Sequence, residues 1–133
     1  MDIVWSMTSV QSARFDSTER RSELRDLVSA FRELRASGRG HLEVNLPDSL
    51  YPYLTLSFLG DHAVIHLFTS EDSVSLLVGD GSVSPEGEVD VPVMDDLGTF
   101  TGDFVMGVDR AWDVMENFVR AGTVEGLGEW YEL

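Results

Sequence analysis

The feature that most constrains this 133-residue chain is a change of hydrophobic period partway along it. At Leu24, Leu27, Val28, Phe31 and Leu34 the apolar residues recur at steps of three and four, which lines one face of an α-helix. Beyond Gly40 the step becomes two. Leu42, Val44 and Leu46 share one face of a strand that Pro47 ends, because proline removes a ladder donor. Leu54 to Phe58 alternate in the same way and reach Gly60-Asp61, after which Ala63 to Phe68 complete a hairpin pattern around a Gly-Asp turn. A segment with one period cannot bury its apolar face in the other structure, so a helix is followed by a run of strands.

The rest of the chain extends this frame. Ile3-Val4-Trp5 reads as a short opening strand. The first helix is expected from Ser17, with Asp16 as N-cap, Glu19 at the third helical position, Arg32 and Arg35 in the last turn and Gly38 as the stop. Arg21, Arg25 and Arg32 would share its solvated face. A third strand is expected from Ser73 to Val78, ending at Gly79-Asp80-Gly81, and a fourth around Val89, Val91 and Val93. Residues 94–107 read as a loop and a short strand. Helical spacing returns at Val108, Ala111, Trp112, Met115, Phe118 and Val119, with Gly122 as the stop. The tail from Glu129 to Leu133 reads as a closing edge strand. The expected fold is α+β, one domain over residues 1–133: a mainly antiparallel sheet of about five to six strands, with the N-terminal and C-terminal helices packed on one face.

Charge narrows the function classes. The net charge is −15, and it is unevenly placed: residues 1–40 hold seven Arg against six acids, and residues 41–133 hold two Arg against 18. A field of that sign repels phosphate backbones, so direct nucleic-acid binding is not expected and a basic protein partner is favoured. The chain has no cysteine, which removes disulfides, thiolate catalysis and zinc–thiolate sites. No apolar run approaches the roughly 18 residues of a membrane helix, and the opening lacks a signal-peptide layout. The expectation is a cytoplasmic protein without a membrane partner.

The residues that could carry chemistry form no catalytic pattern. His41, His62 and His66 are the histidines. His62 and His66 are four apart, but on a strand their Cα atoms would lie about 13 Å apart, too far for a shared metal. Asp61 and His62 would point to opposite faces. No nucleophile elbow or phosphate loop is present, the acids near Asp80 do not follow EF-hand spacing, and adjacency of Asp95 and Asp96 sets no productive separation across a sugar. No cofactor, metal or catalytic residue is therefore assigned.

From Gly40 to Leu133 the layout resembles the first family of polymorphic-toxin immunity proteins, which are encoded beside secreted bacterial toxins. The likeness lies in Gly40-His41-Leu42 opening a strand, in Tyr53–Phe58 and Ala63–Phe68 around the Gly-Asp turn, and in the helix from Val108 to Ala121. It continues in Phe118-Val119-Arg120-Ala121-Gly122 and in the ending Trp130-Tyr131-Glu132-Leu133, similar to the Trp-x-x-Leu endings of that family. The chain departs from it at Thr123-Val124-Glu125-Gly126, where members often carry Arg-Pro.

The resemblance implies a non-enzymatic inhibitor that covers the active site of a cognate toxin domain, commonly a nuclease or nucleic-acid deaminase. Such a toxin presents a basic surface, which agrees with the acidity read independently above. Because loops carry binding on rigid sheets, the expected contact residues are Asp61, Glu71, Asp72, Asp80, Glu86, Asp95, Asp96 and Asp103. Two alternatives stand beside this reading. One is a nucleic-acid-mimicking or regulatory module that acts on another basic protein; the other is a small acid–base hydrolase built on His41, His62 or His66.

Overall fold

The computed structural model describes residues 2–47 and 49–133. The chain is α+β, an antiparallel sheet with two helices, but among the described residues it has more strands than the five to six expected. In order they are β1 (Asp2–Thr8), β2 (Phe15–Glu23), α1 (Leu24–Ala36), β3 (Arg39–Asn45), β4 (Tyr53–Leu59), β5 (His62–Ser70), β6 (Ser73–Leu77), β7 (Glu88–Val93), β8 (Asp96–Thr101), β9 (Met106–Gly107), α2 (Val108–Ala121) and β10 (Trp130–Glu132). The main sheet runs β10-β6-β5-β4-β3-β1-β2, with β9 paired to β5, and β7 and β8 form a separate two-stranded hairpin.

The first helix starts later than the sequence suggests. Residues 17–23 belong to β2, an edge strand paired antiparallel to β1, and α1 begins at Leu24. The reason is visible in the residues: 16–23 carry no apolar side chain, and only from Leu24 does a helix gain a face to bury. β2 is held instead by Trp5, whose Nε1 donates to Ser22 Oγ at 2.9 Å while the Arg20 guanidinium lies 5.0 Å from the Trp5 ring centroid. Asp16 is not the N-cap; its carboxylate accepts from Thr18 N at 3.0 Å, and Glu23 takes the cap position without a side-chain bond. Arg21 consequently sits on β2, apart from the helical face of Arg25 and Arg32.

Both helices enter one core with the alternating apolar faces of the sheet. Leu42 and Val44 of β3, Leu54, Leu56 and Phe58 of β4, and Ala63 and Ile65 of β5 are all fully buried there. Phe31 of α1 packs edge-on against Phe58 and stacks on Trp112 of α2, with ring centroids 5.8 and 4.3 Å apart. Arg35, in the last turn of α1, pairs with Asp109 in the first turn of α2 and holds that carboxyl below its usual range. α2 stops at Gly122, which takes the left-handed conformation (φ +71°) that a side chain resists and donates its N–H to Phe118 O.

Residues 94–107 form more regular structure than a loop and one short strand. Asp96–Thr101 pairs with β7 in full register, from Val93 opposite Asp96 to Glu88 opposite Thr101. A 3-10 turn over Gly102–Phe104 and the short β9 follow. The hairpin lies against β3, β4 and β5, on the side where Val64 and Leu76 join Val91 and Val105 in a second apolar cluster. The sheet thus buries residues on both faces. The tail closes the opposite edge, with Trp130 opposite Leu77 in β10–β6.

Candidate functional site

The eight acids expected to meet a partner are all exposed, and the fold does not gather them into one patch. Asp61, Asp80 and Asp103 sit in turns that the backbone ties together. Val108 N donates to Asp61 O at 3.1 Å, Gly107 N to the Asp80 carboxylate at 3.0 Å, and Gly79 N to Asp103 O at 2.7 Å. Glu71 and Asp72 lie in the β5–β6 turn, at the other end of the strand that follows Asp61. Eight steps along β5 put those two ends about 26 Å apart. Glu86 lies near the base of the β7–β8 hairpin, and Asp95 and Asp96 form its tip.

Some of these carboxylates also hold the fold. Partial burial would raise Asp80, but the Ser82 hydroxyl and the backbone N–H groups of Gly107 and Ser82 outweigh it and keep its pKa below the ordinary value. Ser84 Oγ donates to Glu86 at 2.6 Å and lowers that group as well. Asp95 accepts from Phe15 N at 2.7 Å, which fastens the hairpin tip to the first residue of β2. Glu71, Asp72 and Asp96 sit at exposed turn and strand-end positions.

The Arg-free part of the sequence maps onto particular elements of the fold. Residues 40–109 contain 13 acids and no Arg or Lys. That stretch builds most of β3, all of β4 to β9 and the turns between them. The nine arginines fall at residues 14–39 and at Arg110 and Arg120, hence on the β1–β2 turn, β2, α1, the start of β3, and α2. On the outer side of the hairpin Glu88 and Asp90 are exposed, and Thr99 Oγ1 donates to Asp90 at 2.5 Å.

Under the hairpin lies a polar cluster that the sequence does not announce. His41 Nδ1 is 2.7 Å from Ser57 Oγ, and its Nε2 is 3.1 Å from the Glu43 carboxylate. The order Ser–His–Glu is that of a nucleophile, base and orienting acid. Ser57, however, has no exposed surface and His41 only 1%, so a substrate carbonyl cannot reach the hydroxyl in this conformation. The cluster also joins strands: His41 N donates to Thr8 Oγ1 at 2.9 Å, and the Phe15 ring meets the imidazole edge-on. A clue was present in the i, i+2 spacing of His41 and Glu43, which places both on one face of a strand.

His66 lies on the same face. Burial, with a smaller contribution from His41, pushes its pKa down to about 4, so the ring is neutral at physiological pH. His66 Nδ1 and Thr55 Oγ1 are buried without a hydrogen-bond partner. His62, at the other end of β5, pairs across to Gly107. Among the described residues no group of three or more His, Asp or Glu could hold a metal ion, and no helix is long and apolar enough to cross a membrane. Compared with known proteins, the chain matches no family model and no curated protein.

Proposed function

We propose that this protein is an immunity-type inhibitor, which binds a cognate bacterial toxin domain and covers its basic active-site surface. The observation that carries the reading is the stretch from 40 to 109, with 13 acids and no Arg or Lys, which displays carboxylates on exposed turns and on the outer side of the β7–β8 hairpin. A nuclease or nucleic-acid deaminase must attract a polyanion, and an acidic surface borne on a rigid sheet competes for the same cations. The resemblance of residues 40–133 to an immunity family supports the same partner class. Binding occludes the toxin without chemistry by this chain, and the reading places the action in the cytoplasm of the producing cell.

Under this reading Asp61, Glu71, Asp72, Asp96 and Asp103 are the best contact candidates among the eight acids, because the carboxylates of Asp80, Glu86 and Asp95 already accept internal hydrogen bonds. Co-expression with the toxin domain encoded immediately upstream tests the proposal. Restored growth and co-purification of the two proteins are expected. Continued killing while both accumulate in soluble form would refute it.

A further inference from the structure

On the face of the main sheet that carries the β7–β8 hairpin, strand register sets the side chains in rows that cross the strands. One row, Thr55–His66–Leu76–Tyr131, is buried at its first three positions and 57% exposed at Tyr131. The row beside it lies nearer the β5–β6 turn. There Tyr53 stands opposite Phe68 and Phe68 opposite Val74, while Leu133, two residues beyond Tyr131 and so on the same face, donates its N–H to Val74 O at 2.9 Å. All four side chains are aromatic or aliphatic, and the hairpin covers them incompletely: Tyr53, Phe68 and Val74 are half-buried and Leu133 is 63% exposed. The Tyr53 and Phe68 rings stack with centroids 4.6 Å apart. Neighbouring strands lie about 4.8 Å apart, so the row is about 14 Å long.

We propose that this row is the centre of a docking surface for a basic protein that presents an apolar side chain between its lysines or arginines. The proposal rests on the toxin reading above and names the part of the chain that makes the contact. Charge selects the partner. Exposed Glu71 and Asp72 form the turn that joins the strand of Phe68 to the strand of Val74. Exposed Asp96, opposite Val93 in the hairpin, adds a carboxylate towards the other end, where Val93 and Met94 line a cavity together with Tyr53 and Phe68. Residues 40–109 and 121–133, which build the row and this rim, contain no Arg or Lys. An acidic rim repels nucleic acid and anionic lipid, and it repels a second copy, whose rim is the same. It attracts a cationic protein surface. The rim then speeds encounter, while the aromatic and aliphatic side chains at the centre, once desolvated, hold the complex.

Two short synthetic peptides of equal length, one alternating Lys and Leu and the other alternating Lys and Ser, test the surface by NMR titration of the full chain at low salt, without the toxin. The Lys-Leu peptide is expected to fill one saturable site and to shift Phe68, Val74, Tyr131 and Leu133 together with the amides of Glu71 and Asp72. It is expected to bind about tenfold more tightly than the Lys-Ser peptide, a factor that burial of one leucine supplies. Tyr131→Ser with Leu133→Ser, both at exposed positions, is expected to weaken the Lys-Leu peptide about tenfold and to leave the Lys-Ser peptide unchanged. If that variant does not fold, the ratio of the two peptides and the shift map on the unaltered protein decide. Equal affinity for the two peptides, shifts centred away from the row, no saturable binding, or self-association of the chain through the row would overturn the proposal. Growth restored by co-expression despite such a result would leave the inhibitor reading standing on another surface, whereas binding at the row with continued killing would refute that reading alone.

Discussion

Acid is expected to weaken this protein through one side chain, His66. The groups facing its ring are His41 and Glu43 from β3 and Tyr53 from β4, with Phe68 and Phe100 packed beside it. Burial keeps the ring neutral and lowers its pKa from 6.5 to about 4, so across that window the unfolded chain binds a proton that the folded protein refuses. Stability contributed by the neutral ring is therefore present above 6.5 and is lost as the pH falls towards 4. Taking those two values, linkage gives a loss of about 1 kcal/mol at pH 6 and about 2 kcal/mol at pH 5. Carboxylates titrate in the same range, so the informative quantity is the difference between the protein and His66→Leu, which keeps an apolar side chain against Phe68 and Phe100. Urea unfolding of both at about pH 7.5, 6 and 5 should show the native protein losing about 2 kcal/mol relative to the variant. Parallel pH dependences would show that His66 is hydrated or charged in the folded state, and would refute the reasoning.

Phe118, fully buried where α2 meets the sheet, should cost about 3–5 kcal/mol on replacement by alanine, read from the urea midpoint. Gly79→Ala would place a methyl group 2.2 Å from Val105 O, beside the bond from Gly79 N to Asp103 O; a loss above about 1 kcal/mol is expected, with NMR changes confined to residues near 79 and 103–107. Asp80→Ala removes the acceptor for Ser82 N and Gly107 N, and exposure to water holds the expected cost to about 1 kcal/mol, again measured by urea unfolding. Glu71→Gln with Asp72→Asn should leave stability within about 0.5 kcal/mol and slow association with the toxin domain, measured by stopped flow.

How much of this was legible in the sequence depended on which side chains carried the pattern. Leu54, Leu56 and Phe58, or Trp112, Met115 and Phe118, announce their elements because apolar residues fall at the required period. β2 has no such signal: Asp16 to Glu23 are all polar, and only pairing with β1 makes them a strand. β8 was obscured because Gly98 stands opposite Val91 while Leu97 is exposed. The second buried face was hidden for the opposite reason. Thr55, Ser57 and His66 alternate with apolar residues as solvent-facing positions do, yet the hairpin covers them. Exposure of the eight acids followed from their turn positions. Their distribution over both ends of β5 and the hairpin tip depended on tertiary arrangement, which local spacing does not encode.

The central claim is that the exposed carboxylates of this molecule meet a basic active-site surface. The association rate with the proposed toxin partner, followed as salt is raised from about 20 to about 500 mM, tests it most directly, because screening at the higher value confines charge effects to a few ångströms. A rate that falls at least tenfold, and falls less for the protein with Glu71→Gln and Asp72→Asn, is the expected result. A rate unchanged by salt, or a complex that forms while the toxin still cleaves or deaminates its substrate, would contradict the account.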